Sequence, residues 1–113
     1  MTVIKHPFGE IGNPVLSVDA AQALTIDKSY TVVDGVTVEA ATNNRTLNLT
    51  IDAGMPLGAQ LFVMVKSNAA ETTIFGTGML GATITGTAGK TICALFIFDG
   101  TNFVQAGAEQ QID

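Results

Sequence analysis

The chain has no tryptophan, one cysteine, one histidine and one tyrosine in 113 residues, and charged residues make up only 13% of it. Each scarcity closes a route. A lone cysteine, Cys93, cannot form a disulfide within the chain, and its place inside an apolar run reads as a small buried hydrophobe rather than a reactive thiol. A lone histidine, His6, cannot complete a two-histidine metal site or anchor a Ser/His/Asp triad. Lys5, Lys28, Arg45, Lys66 and Lys90 are scattered, against ten acidic residues and a net charge of −5. With no basic stripe to neutralise phosphates, nucleic-acid binding is not expected. No apolar run approaches the roughly 20 residues of a transmembrane helix. Met1 to Pro7 lacks the apolar stretch of a signal peptide, so synthesis in a cytoplasm and no membrane partner are expected.

Glu, Lys, Arg and Leu, which favour helices, are sparse, while Thr, Ala, Val, Ile and Gly dominate; that balance favours strands. Charge at about half the usual share of roughly 25% leaves little to solvate a monomer, so part of the surface is expected to be buried in an oligomer. The organising stretch is Thr91 to Phe98, followed by Asp99-Gly100-Thr101-Asn102 and then Phe103-Val104-Gln105. It reads as a long strand, a tight turn and a return strand. From Ile92 to Phe98 no position is polar, so both faces of this strand should be covered: Ile92, Ala94, Phe96 and Phe98 by the core, Cys93, Leu95 and Ile97 by a second sheet or a second subunit. Leu61-Phe62-Val63-Met64-Val65 has the same double-sided character, which adds Phe62 and Met64 to the expected subunit interface.

Elsewhere short strands follow one another. Ala23 to Ile26 is a weak one. Tyr30 to Val33, Asp34-Gly35 and Val36 to Glu39 predict a hairpin. Thr46 to Ile51 alternates cleanly, with Leu47, Leu49 and Ile51 toward a core. Asp52 to Ala59 is a loop, and Thr72 to Phe75 precedes a Gly/Thr-rich segment from Gly78 to Gly86. Residues 1–20 stand apart: Pro7, Gly9, Gly12 and Pro14 break regular structure, yet Val3, Ile4, Phe8 and Ile11 are too apolar for a purely disordered tail. They predict an extended arm that docks on a partner, ahead of a β domain at residues 21–113. The pattern as a whole predicts an all-β fold, an antiparallel jelly-roll-like β-sandwich of about eight strands with an extended N-terminal arm.

Candidate chemistry is thin. The carboxylates are dispersed, and Asp34, Asp52 and Asp99 sit at turns where aspartate is favoured for its backbone hydrogen bonds. The oxygens of Asp99, Thr101 and Asn102 fall short of the six to eight ligands that calcium takes. Gly86-Thr87-Ala88-Gly89-Lys90-Thr91 fails the phosphate-loop pattern, since the required first glycine is absent and a strand follows instead of a helix. No catalytic residue, metal or cofactor is expected. A glycan site would have to be assembled across subunits from Asn43, Asn44, Asn68 and Asn102.

The closing strand, the Asp99-Gly100-Thr101-Asn102-Phe103-Val104 turn and the earlier Leu47-Asn48-Leu49-Thr50-Ile51 and Leu61-Phe62-Val63-Met64-Val65 runs resemble small β domains of bacteriophage structural proteins. Such domains occur in capsid decoration proteins and in head and tail fibres, and the resemblance covers roughly residues 22–106. It implies a homotrimer on a virion. It also implies a structural role, as a capsid decoration or head-attached protein held on the major capsid protein or another virion protein through the N-terminal arm. The alternative it implies is a carbohydrate-binding adhesion tip of a phage fibre, with a surface glycan as partner.

Overall fold

A computed structural model of the chain describes residues 11–17, 20–40 and 44–113. Among them there is no helix. The strands are β1 (Ile11–Gly12), β2 (Ala21–Ile26), β3 (Tyr30–Ala40), β4 (Arg45–Ile51), β5 (Gln60–Ser67), β6 (Thr72–Phe75), β7 (Met79–Leu80), β8 (Ile84–Thr85), β9 (Thr91–Phe98), β10 (Phe103–Gln105) and β11 (Gln110–Gln111). They form two sheets packed as a β-sandwich. Sheet A runs β1-β3-β5-β9-β10-β7, with β11 beside β10 on the same edge of β9; sheet B runs β2-β4-β6-β8.

The antiparallel jelly roll is not what the chain builds. From β1 to β8 the chain changes sheet at every step, so β3, β4, β5, β6 and β8 each lie beside the strand laid down two steps earlier, while β7 joins the far edge of sheet A, parallel to β10. Thus β1, β3 and β5 are parallel in sheet A, and β2, β4 and β6 are parallel in sheet B. Antiparallel pairing enters only with β8, β9, β10 and β11. The winding is that of a short two-sided coil, closed by the β9–β10 hairpin and its extension. Parallel strands need a connection that leaves the sheet and returns, usually a helix. Here the facing sheet supplies that return path, which is why an all-β chain can be half parallel.

Period-two alternation sets the core. Leu24 and Ile26, Leu47 and Leu49, Leu61, Val63 and Val65, and Phe96 and Phe98 all point between the sheets and are buried. The Phe75 ring of sheet B meets the Phe96 ring of sheet A edge-on at 4.7 Å between centroids, and Phe98 packs on Phe103 at 5.2 Å. Such aromatic pairs add about 0.5–1.5 kcal/mol beyond the area they bury.

The two Asp-Gly pairs behave differently. At Asp99-Gly100 the expected turn forms: Gly100 has a φ of 101°, and the Asp99 carboxylate accepts the backbone N–H groups of Thr101 and Asn102 at 2.9 and 2.8 Å. At Asp34-Gly35 there is no hairpin. β3 runs on through it, and its register against β5 shifts between Gly35 and Ala40. Gly35 is not among the glycines with positive φ, which a type I′ hairpin would require. The glycine serves close packing instead: a Cβ there would lie 2.7 Å from the Met64 carbonyl oxygen and 2.8 Å from Val65 Cγ1. Asp34 bends the strand by accepting the N–H groups of Val36 and Thr37 and the Thr37 hydroxyl.

The division expected at residue 20 also shifts. Val3, Ile4 and Phe8 lie outside the described residues. Residues 11–17, however, belong to the domain: Ile11 and Gly12 pair with β3, Leu16 is fully buried, and its N–H donates to the Asp34 carbonyl at 2.8 Å. The cause is local sequence. Pro14 has no N–H of its own to satisfy and its carbonyl accepts from Asp34 N–H at 2.9 Å, so the segment lies along β3 as an edge. The polar end of the chain is likewise built in. Gln110 and Gln111 pair with β9, and the Asp113 carboxylate accepts the Thr91 N–H at 2.7 Å.

Candidate interaction surface

Residues paired across adjacent strands share a face, so the registers define rows. On the outer side of sheet A one row reads Ile11, Tyr30, Gln60, Ile97, Val104, Leu80. The next reads Val32, Phe62, Leu95, and a third reads Val15, Asp34, Met64, Cys93, Gln110. All five residues expected at a subunit interface, Phe62, Met64, Cys93, Leu95 and Ile97, therefore fall on one face. Phe62 stands opposite Leu95, and Met64 opposite Cys93. Ile11, expected in a docking arm, sits instead at the edge of this face.

Sheet A is coherent as a surface. Of its three outer rows only Asp34 carries a full charge at neutral pH, and its carboxylate is turned to the three donors of Val36 and Thr37. Those hydrogen bonds, the Thr37 hydroxyl first, hold its pKa below the usual aspartate range. Ile11, Ile97 and Leu80 are 46%, 38% and 54% exposed although they are large aliphatics. Phe62, Met64 and Leu95 are half-buried by their neighbours, and Cys93 is buried. No third layer of secondary structure lies over the face among the described residues.

Sheet B is its opposite. Its outer rows read Ala21, Thr46, Ile74; Ala23, Asn48; Thr25, Thr50; and Thr72, Thr85. Apart from Ile74 these are alanines, threonines and one asparagine, small or polar side chains that water solvates well. Sheet A's two double-sided strands were visible as apolar runs. What sequence reading missed is that Val32, Val104 and Leu80 join them, because that depends on register.

Between the sheets lies a residue read only as a scattered base. Arg45 is 1% exposed and is the bulkiest of the fully buried side chains. Its Nη1 donates to the carbonyls of Leu16 (3.2 Å) and Val38 (2.8 Å), and its Nη2 to those of Gly35 (3.2 Å) and Lys66 (3.0 Å). These carbonyls come from the bulged part of β3, from β5 and from the N-terminal segment, where the ladder is interrupted. A guanidinium, with five donors in a fixed fork, suits that gap as no other side chain does. The signal in the sequence is slight: an arginine at an inward-facing strand position, in phase with Leu47 and Leu49.

The remaining candidates do not converge. Asn44 precedes β4 and Asn68 follows β5, both at the margin where sheet A hands over to sheet B. Asn102 sits in the β9–β10 turn at the far end, beside the start of β5; Asn43 lies outside the described residues. The Asp99 carboxylate is committed to its own turn, and the Asn102 and Thr101 N–H groups lower its pKa. Among the described residues no group of three or more His, Cys, Asp or Glu could hold a metal ion, and no helix is long and apolar enough to cross a membrane. The chain matches no protein-family model, no curated protein and no solved structure.

Proposed function

We propose that the chain is a structural accessory protein of a virus particle, a capsid decoration or head-attached protein that works as part of a homo-oligomer and catalyses nothing. The observation that carries the reading is the outer face of sheet A: three rows of largely apolar side chains on a domain of 113 residues with few charges. An exposed apolar area of that kind is a liability in a free monomer and an asset in an assembly. The resemblance of the β9–β10 hairpin and its Asp-Gly-Thr-Asn turn to phage structural domains supplies the virion and the capsid protein as partner. Attachment through the N-terminal residues follows from Val3, Ile4 and Phe8. Each such side chain that docks contributes about 1.5–3 kcal/mol before ordering costs, and the copies of an oligomer multiply the effect by avidity.

The test must respect the fold. Removing residues 1–16 would take Leu16 out of the core, so the deletion stops at residue 10. Particles of the source virus, stripped of this protein and incubated with the full chain or with the 1–10 deletion, are sedimented and assayed for bound protein. Binding by the full chain and loss of binding by the folded deletion support the reading. Equal binding by both would remove the arm from the mechanism, and no binding by either would remove the virion.

A further inference from the structure

We infer that the outer face of sheet A is covered by the same face of a second copy, making a two-fold, sheet-on-sheet dimer centred on Phe62 and Leu95. The inference rests on the assembly reading above for the face being covered at all; it adds the occupant, the symmetry and the centre.

Three observations carry it. The first is size. The seven strands of sheet A, of which β3, β5 and β9 are eight residues or longer and the rest two or three, make a face of about 600 Å² in projection at about 4.8 Å between strands and about 3.3 Å per residue. The corrugated surface of such a face is comparable with the roughly 800 Å² per partner that a stable interface buries. The second is charge. A self-complementary contact sets each charged group against a copy of its own face, so a face that meets itself must be nearly free of charge. Asp34 is the one full charge in the three rows, it lies on β3 away from the β5–β9 centre, and its carboxylate is occupied within its own turn; Lys66, opposite Thr91 in the row beyond Met64, adds one charge at the end of β5 and bounds the contact there.

The third observation is where the apolar bulk sits. β5 and β9 are the third and fourth strands in the order β1-β3-β5-β9-β10-β7, and they carry Phe62, Met64, Cys93 and Leu95. A sheet turned toward a three-fold axis meets its two neighbours along its margins and leaves its middle less covered. Two sheets face to face, about 10 Å apart, cover the middle first. The three copies implied by the phage resemblance would therefore cover Ile11 and Leu80 at the margins but leave Phe62, Met64, Leu95 and Ile97 in the middle less covered. Sheet B offers no second apolar plane for a head-to-tail contact, since its outer rows are Thr, Ala and Asn around a single Ile74.

The experiment is light scattering on the full-length chain across a dilution series, with three variants. Ile97→Lys and Leu95→Asp place a charge in the contact; Thr50→Asp places one on sheet B. The expected mass is twice 11.7 kDa, unchanged in Thr50→Asp. Both sheet A variants should raise the dissociation constant by at least about 30-fold, as expected for the central residues of an interface. Ile97 is already 38% exposed, so its variant keeps the fold if Leu95→Asp does not; a cooperative melt checks both. A wild-type trimer overturns the two-fold arrangement while leaving an oligomeric structural protein. A wild-type monomer overturns self-association and returns the face to residues 1–10 or to the capsid. A dimer untouched by folded Ile97→Lys places the contact elsewhere and overturns the inference as well.

Discussion

The outer faces of the two sheets are made by the same chain, strand by alternate strand, and differ in nearly every property that matters to water. Sheet A presents Tyr30, Val32, Phe62, Met64, Leu95 and Ile97; sheet B presents Ala23, Thr25, Thr46, Asn48, Thr50 and Thr85. Both sheets use the same kind of inner face, so the core did not require the contrast. A strand with one polar face is sufficient for a sandwich, as β4 demonstrates with its inward Leu47 and Leu49 and outward Thr46 and Asn48. On the proposed reading the excess apolar area on sheet A serves contact with another chain, while sheet B is finished as a solvent face. Folding is written on the inner sides; the proposed contact would use one outer side.

The largest effect is expected where both sheets depend on one residue. Arg45→Met keeps much of the volume but removes the donors that hold the carbonyls of Leu16, Gly35, Val38 and Lys66. Leaving such buried acceptors without partners should cost about 3–5 kcal/mol in urea unfolding. Because the arginine supports both faces, dimerisation of the folded fraction should be unchanged. If Arg45→Met lost association while keeping full stability, the division between inner and outer roles would be broken.

A pair of glycine substitutions sharpens the contrast between sheets. Gly35→Ala drives a methyl into the Met64 backbone carbonyl, directly beneath the sheet A face, and nothing there can swing aside. Overpacking of that kind costs about 1–3 kcal/mol, and the upper end is expected here. Gly76→Ala in sheet B meets the side-chain oxygen of Asn48, which can rotate away at the expense of its hydrogen bond from Thr77 N–H. A loss of about 1 kcal/mol is expected, the value of one such bond. Thermal melts of both variants give the order, and only Gly35→Ala should also weaken association, by displacing Met64.

The smallest effect is acid dependence. Asp34 and Asp99 both have pKa values lowered from 3.8 by hydrogen bonds that the unfolded chain lacks. The folded protein thus binds fewer protons than the unfolded one, so their contribution is fully present above about pH 4 and is lost as pH falls through the folded values. Melts between pH 5 and pH 2 should show a modest decline, flattened in Asp34→Asn and in Asp99→Asn. Both carboxylates are surface groups, so a steep loss in this window would point to a different titrating group.

Much of this architecture could be read from residues, and the part that could not has a definite cause. Alternation at Thr46 to Ile51 located β4 and its inner face, and the double-sided runs at 61–65 and 92–98 marked the residues that turned out to share a surface. Direction was illegible. A loop such as Asp52 to Ala59 looks the same whether the chain doubles back within its sheet or crosses to the facing one, and only the partner strand, distant in sequence, decides. Asp34-Gly35 misled for a related reason: the same two residues suit a hairpin by positive φ and a bulge by small size, and the requirement for small size comes from Met64 and Val65, thirty residues away. Arg45 was hidden because its partners are backbone carbonyls, which leave no trace in side-chain patterns.

Hydroxyl-radical footprinting of the full chain at high and low concentration reports directly on whether the outer face of sheet A is covered. It compares Phe62 and Met64 on sheet A with Ile74 on sheet B, which is 41% exposed. Phe62 and Met64 are expected to be protected at high concentration and to become reactive on dilution, while Ile74 reacts equally throughout. Phe62 and Met64 reacting equally at every concentration, with protection appearing at Ile74 instead, would contradict a covered sheet A face.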